Sequence, residues 1–490
     1  MAYEPAPADR VADTPAQRPA QGLTQGPAVT RRAVLALAVP IIFASIGVSL
    51  SGIADTAVMG RMPDPVYLSA TAIGATFFAT LYGAVVFLRM STGGLVAQAF
   101  GADDAERQRR LAWRAIVLAA SLGLVIIVLQ APLLWLSLRV MDDAGGMHAL
   151  VRDYVGVRVW SAPAVLMLFV LHGVLVGRQS MRALLGVQLV QTLLNVALNI
   201  VLFTQTELGI RGVALATVIA DLVAVSMGLS LLWPLLRGDP DAGPGGKRQA
   251  VPAGAAGEPF TRWLFEPAEL RRLFSIGGNL FVRSLCLTGA YFWFTAAGTR
   301  LGVTVVAANA ILMQLLLFTS FFLDGFAHAA EALVGQAIGQ RRPAALRAAV
   351  RVSAELSLLM AIGLCAVFAI GGGVFIDALS TDAATREATR AWLGWAIALP
   401  IAGVGSFLLD GVFIGATRTR AMRDSMVVSL LLFVLATQVL IPAFGNHGLW
   451  AAFLIMLLAR VLGLGLALPG LLRGAIDPAR PATSLDASGS

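Results

Sequence analysis

A small set of polar and ionisable side chains stands inside runs that are otherwise almost wholly apolar, and these residues define the chemistry open to the chain. Asp55 is the most pointed. It lies 22 residues into the first apolar run, with no basic residue one helical turn away. A charge at the centre of a membrane helix costs about 2.5–3.5 kcal/mol on insertion scales, so a carboxyl kept there needs a reason. One that takes up and releases a proton is a cation carrier; one solvated at the outer interface is merely tolerated. Asn195 and Asn199, four residues apart, continue a stripe begun by Gln188 and Gln191, and such a stripe must face a cavity or another helix. Asp221 and His172 complete the candidates for cation or proton coupling in the first half. In the second half Asp324, His328, Glu331 and Gly335 recur at spacings of four, three and four, which is one helix face. Arg283 and Asp410 join Asp324 and Glu331 as a charge network, since an unpaired arginine in hydrocarbon would be costly. No GxxxxGK[ST], HExxH, CxxC or GxSxG occurs, so neither ATP-driven transport nor a hydrolytic or metal-centred enzyme is indicated, and no metal site or cofactor is expected.

The elements that must position these groups follow from composition. Of the 490 residues 58% are hydrophobic and only 13% charged, against about 25% charged in soluble domains. That excludes an ordinary soluble enzyme, a disordered chain and a disulfide-stapled secreted domain. Cys286 and Cys365 both lie in apolar runs and read as packing residues. A membrane helix needs roughly 20 apolar residues. Runs of that length lie near 33–59, 66–90, 111–138, 154–177, 183–204 and 209–236. Six more lie near 273–297, 303–330, 348–376, 391–415, 425–445 and 447–471. The expected fold is an all-α polytopic membrane protein of twelve transmembrane helices.

Residues 1–32 read as a disordered cytoplasmic tail, 33–237 as a six-helix lobe, 238–272 as a cytoplasmic linker with a short surface helix at 267–274, 273–472 as a second six-helix lobe and 473–490 as a polar tail. The net charge of +8 does not point to nucleic acid, because the arginines sit in short loops between spans. They concentrate on one side, in Arg107, Arg109, Arg110, Arg341, Arg342 and their neighbours, and positive residues stay inside. Both termini are therefore expected in the cytoplasm, most naturally at a bacterial inner membrane.

The halves repeat at an offset of 238 residues. GGLVAQAFG at 93–101 answers EALVGQAIG at 331–339, GVLVG at 173–177 answers GVFIG at 411–415, and Arg182 answers Arg420. Matches at one constant offset mark a duplication. Six helices per copy give both halves the same orientation, related by a pseudo-two-fold along the membrane normal.

SGIADTAVMGRM at 51–62, PVYLSATAIGATFF at 65–78, FLRMSTGGLVAQAFG at 87–101, AANAILMQLLLFTSFFLDGFAHAAEALVGQAIG at 307–339 and LLDGVFIGATRTRAMRDSM at 408–426 resemble the multidrug and toxic compound extrusion (MATE) family, in particular its DinF-like branch. The resemblance spans about residues 33 to 471. It implies a secondary antiporter, probing no cofactor beyond its coupling ion, that exports bulky cationic or amphipathic molecules against an inward proton or sodium gradient. It also implies a coupling role for the aspartate at Asp55–Thr56, and a bend tied to protonation at Pro40. The family often has an aspartate where Asn199 stands; its absence here weakens a two-carboxylate site and puts more burden on Asp55. The sodium-coupled branches use an acid on helix seven, and this chain has none there, which favours H+ over Na+. A flippase for lipid-linked amphiphiles is the alternative; such flippases line the cleft with several basic residues, whereas here only Arg89, Arg158, Arg283 and Arg460 lie within the expected spans, split between the lobes. A non-transporting membrane enzyme or scaffold is more remote. The expected partners are small amphipathic or cationic molecules and the lipid bilayer, with the chain acting as a monomer.

Overall fold

The computed structural model describes residues 29–59, 65–139, 147–239 and 263–474, and these are almost entirely helical. The first lobe holds α1 (Arg31–Met59), α2 (Val66–Gly101), α3 (Ala105–Val128), α4 (Met147–Gly177), α5 (Met181–Gln205) and α6 (Ile210–Arg237). The second holds α7 (Pro267–Thr299), α8 (Val303–Gly339), α9 (Pro343–Leu379), α10 (Ala383–Gly415), α11 (Thr419–Phe444) and α12 (Asn446–Gly474). Eleven of these are long and apolar enough to cross a membrane by length and composition among the described residues, and α1 supplies the twelfth helix. In a bilayer every backbone donor and acceptor must be satisfied within the protein, and a continuous helix does this inside each crossing segment.

Several boundaries differ from expectation. The segment at 267–274 is no separate surface helix but the opening of α7, with Pro267 in the first turn, where a missing N–H costs nothing. Helix α3 starts at Ala105, earlier than hydropathy suggests, because Asp104 caps it by accepting from the Arg107 N–H at 2.9 Å. A second helix, Gln130–Arg139, carries α3 onward. Helix α4 tightens into a 3₁₀ turn at Val159–Ser161, just ahead of Pro163. Pro40 and Pro400 lie within unbroken helices. The tail at 1–28, the linker at 240–262 and the tail at 475–490 lie outside the described residues.

The duplication is visible in the backbone. Asp103 and Arg341 have φ of 59° and 53°, and Gln179 and Thr417 have 58° and 55°. Each pair is separated by the repeat offset, and each residue follows the end of α2, α8, α4 or α10. Non-glycine residues rarely adopt this left-handed conformation, so its recurrence at matched positions is a signature of one fold used twice.

The lobes join along the C-terminal halves of α2 and α8. A β-carbon at Gly101 would fall on the Gln336 carbonyl, and one at Gly339 on the Gln98 carbonyl; these are equivalent contacts exchanged across the pseudo-axis. Between them Ala97 occupies the space where Gly335 lacks a side chain. Small residues let two helix backbones touch, which is how membrane helices pack tightly without a hydrophobic driving force. Matching hydrogen bonds tie each helix to a loop of the opposite lobe. Gln98 Nε2 donates to the Thr417 hydroxyl at 3.3 Å, and Gln179 Nε2 donates to Gln336 Oε1 at 2.8 Å. One continuous apolar core runs from the first lobe across this seam to Phe326, Leu333, Val412 and Ile414. A separate core around Phe294, Phe433, Trp450 and Phe453 fills the other half of the second lobe.

Candidate functional site

In the first lobe the α5 stripe is buried and faces α6. Gln188 Nε2 donates to Gln191 Oε1 at 3.0 Å, and Gln191 Nε2 donates to Asp221 Oδ1 at 2.7 Å. One turn on, Asn195 Nδ2 donates to Thr217 Oγ1 at 3.1 Å, and Asn199 Nδ2 donates to Asn195 Oδ1 at 3.2 Å. Helix spacing makes this chain possible, because residues three and four apart stand one above another. Asp221 and Asn195 thus lie in successive α5–α6 contacts, through Gln191 and Thr217, and Asn199 joins through Asn195 on its own helix. A β-carbon at Gly47 of α1 would lie 3.6 Å from the hydroxyl of Thr192 beside this stripe. Asp55 lies in the backbone of α1, and its side chain lies outside the described residues.

His172 departs from the expected first-lobe group. It is half-buried in α4, its hidden Nε2 has no hydrogen-bond partner, and the charges acting on it are those of Arg89 and His328 rather than Asp221. It therefore belongs with the groups at the top of the seam.

In the second lobe Asp410 is the centre of the network. Arg460 of α12 donates to Asp410 Oδ2 at 2.7 Å, and Arg283 of α7 bonds the same oxygen. All three are buried. Asp324 stands close enough to interact electrostatically with Arg283 and Asp410, with no hydrogen bond to either. Asn279, one turn before Arg283, turns instead to α11, where Arg423 Nη1 donates to its Oδ1 at 3.0 Å.

Glu331 corrects the expected grouping. It does not meet Arg283; it pairs across the lobes with Arg89 of α2, Nη1 to Oε2 at 3.5 Å. His328 Nδ1 lies 3.2 Å from the same oxygen and 3.3 Å from the Arg89 guanidinium. The reason is the repeat itself. Gly93 is the first-lobe counterpart of Glu331, and the carboxylate is seated where Gly93 has no side chain. Arg460 and Arg89 were legible only as arginines within spans. Each must find an acid, but which acid depends on how helices far apart in sequence cross.

Pro40 sits where α8 presses on α1. A β-carbon at Gly325 would lie 2.9 Å from the Ala38 carbonyl and against the Ile42 side chain, so α8 packs closely on α1 on either side of the proline. An apolar cavity of about 460 Å³ lies between α2, the helix Gln130–Arg139 and the start of α4, lined by residues that include Phe77, Leu81 and Leu134.

Known proteins with this arrangement are transporters. The MatE family model matches residues 40–201 and 280–440, once in each lobe. DNA damage-inducible protein F of Escherichia coli (strain K12) is 37% identical over 438 residues, covering 88% of this chain and 91% of its own length. A probable multidrug resistance protein NorM of Bradyrhizobium diazoefficiens is 26% identical over 401 residues, 77% of this chain and 78% of that protein. A solved structure described as the outward-facing conformation of a multidrug resistance MATE family transporter of the MOP superfamily superposes with a TM-score of 0.79 at 18% identity, covering 91% of this chain and 97% of that one. The chain is a multi-pass membrane protein and belongs to the multidrug and toxic compound extrusion (MATE) family of transporters.

Proposed function

We propose that this protein is a cation-coupled antiporter that exports bulky cationic or amphipathic compounds by alternating access, with protons as the coupling ion. The observation that carries the reading is the one-sided seam: the lobes are pressed together along the C-terminal halves of α2 and α8, while the second lobe keeps a separate core in its other half. Two rigid lobes joined at one end are what rocking about a central site requires. With both termini in the cytoplasm of a bacterial cell, the sealed end is the inner one and the cleft opens outward.

Helix register supports Asp55 as the coupling group. Helices α1 and α5 run in the same direction, and a β-carbon at Gly47 would lie against the Thr192 hydroxyl. Eight residues further along α1 is Asp55, and seven further along α5 is Asn199, at the end of the polar stripe. Proton binding at Asp55 would then be felt by α1 and α5 together, with the bend at Pro40 as the mobile element. The cavity of about 460 Å³ beside α2 is of the size that holds a drug-sized apolar body.

The four arginines within spans speak against the flippase reading, since Arg89, Arg283 and Arg460 are held by carboxylates and Arg158 by the Tyr154 hydroxyl. Accumulation of a fluorescent cationic dye should be lower in cells that carry the protein than in cells without it. Unchanged dye levels across a broad panel, together with altered lipid-linked intermediates, would turn the assignment to a flippase.

A further inference from the structure

Four features converge at the floor of the cleft. Glu331 is fully buried, its side chain wholly hidden, yet it belongs to the second lobe and its charged partner Arg89 to the first. Its Oε2 faces both Arg89 and His328, while its Oε1 presses over Gly93 and has no hydrogen-bond partner. The His328 side chain is 19% exposed, so the imidazole bridges the hidden carboxylate and the more open space above. Finally, the pair sits directly on top of the small-residue seam, one turn before the contact of Gly335 with Ala97.

We propose that Glu331 is a second protonation site, distinct from Asp55, whose charge clasps the two lobes at their sealed end through Arg89 and whose protonation through His328 releases them. This rests on the transporter reading only in requiring that the lobes separate there. A charge pair in a dry interface is far harder to part than one in water, because parting leaves both charges unpaired in a poor solvent. Neutralising the acid first removes that obstacle. The proton passes from the imidazolium Nδ1 of His328 to Glu331 Oε2. His328 returns to its neutral form, Glu331 becomes a neutral acid, and Arg89 loses its counter-charge on the opposite lobe.

The other titratable groups around the site are few. Helix α4 offers His172 and α8 offers Asp324; Asp410 of α10 is engaged by Arg283 of α7 and Arg460 of α12. Helix α1, which also packs on α8, has no charged residue between Ala33 and Asp55. Glu331 alone among them makes an ion pair across the lobes.

Spin labels at Arg182→Cys and Arg420→Cys, equivalent exposed sites at the sealed end of each lobe, read the separation directly in a Cys286→Ser, Cys365→Ser background without substrate or ion gradient. Double electron–electron resonance on the full chain in nanodiscs should give a short distance at pH 8 and a growing long-distance population at pH 5. Glu331→Gln keeps the shape of the side chain and should raise the ratio of open to closed populations roughly tenfold or more, at both pH values alike. Arg89→Gln should do the same, with no further change in the double variant. Gly93→Ala should also open the seam by unseating the carboxylate, and it needs no change to any charge. A wild-type distance that ignores pH would overturn the proposal, as would a pH response that survives in Glu331→Gln and so belongs to a histidine. An unaltered distance in both Glu331→Gln and Gly93→Ala would overturn it too. Loss of dye export alone bears on the transporter reading and not on the clasp.

Discussion

Arg460 of α12 donates a hydrogen bond of 2.7 Å to the Asp410 carboxylate of α10, and through that one oxygen it is linked to Arg283 of α7. One acid therefore balances two buried arginines, one from each of two other helices. Removing either arginine leaves the other bond intact, whereas removing the acid leaves two like charges facing one another. Breaking a buried pair typically costs about 3–5 kcal/mol, and Asp410→Asn is expected to reach that range while Arg283→Ala and Arg460→Ala fall below it. Thermal unfolding in detergent gives the order. A cycle of Arg283 with Asp410 should be strongly non-additive, and a cycle of Arg283 with Glu331 additive, since those two do not pair. An additive Arg283–Asp410 cycle would remove the network.

Asp55, the residue proposed for coupling, should behave in the opposite way. Asp55→Asn is expected to abolish gradient-driven export in proteoliposomes while leaving insertion and thermal stability at or above the wild-type level, because the substitution removes the exchangeable proton and the cost of a charge within a membrane helix but keeps the size of the side chain. Wild-type transport by this variant would end the role assigned to Asp55.

Protons rather than sodium should drive the cycle. An imposed pH gradient is expected to move a cationic dye with sodium absent, and a proton uncoupler should stop it. If transport instead demanded sodium and ignored the uncoupler, attention would shift to Asp324 and Asp410 in the second lobe.

Asn195 separates packing from coupling on the α5 stripe. Its amide serves both Thr217 of α6 and Asn199. Asn195→Ala should cost roughly 1–3 kcal/mol of stability, the penalty for stranding a buried partner, with the proton dependence of transport unchanged. A shifted ion dependence with unaltered stability would make Asn195 a coupling residue instead.

Two glycines of the second lobe should respond with opposite signs to the same substitution. A β-carbon at Gly411 would fall on the Ala327 carbonyl of α8, while one at Gly371 of α9 meets nothing within 4 Å. Gly411→Ala forces two backbones apart and should destabilise by roughly 1–3 kcal/mol. Gly371→Ala should be neutral or stabilising by about 0.5–1 kcal/mol, because alanine loses less freedom in a helix. Melting temperatures of the two variants side by side decide it.

The spans were legible because hydrocarbon demands length and apolarity from every crossing segment, and both can be counted along the chain. The duplication was legible because GGLVAQAFG and EALVGQAIG keep their register. What the repeat could not reveal is that these two segments touch each other. Its one conspicuous mismatch, Gly93 against Glu331, marked the lobes as unequal, and the structure adds that the unequal residues are seat and occupant of the same contact. Arg283 among the acids was enough to expect a buried pair, but choosing Asp410 over Asp324 or Glu331 depends on helix crossing angles. His172 was grouped with Asp221 because both lie in the first half; a helix has several faces, and α4 turns this one toward the other lobe. Helix ends drifted wherever a polar cap or an early proline began a helix ahead of the apolar run, as at Asp104 and Pro267.

The unbroken length of α8 has a mechanical consequence. It runs from Val303 to Gly339 without a proline inside it. Its far end is fastened to α12, where Asn309 and Asn446 exchange hydrogen bonds at 2.8 and 2.9 Å and Trp450 adds a third. Its near end turns on Ala97. The 32 residues from Gly335 back to Val303 make an arm of about 48 Å at 1.5 Å per residue, so a tilt of about 10° at the seam sweeps the far tip through about 8 Å. Backbone contacts at the pivot restrict how far the arm can slide but not how far it can swing. The glycines at one end of the molecule thus set the aperture at the other, as the pin of a pair of shears sets the travel of its blades.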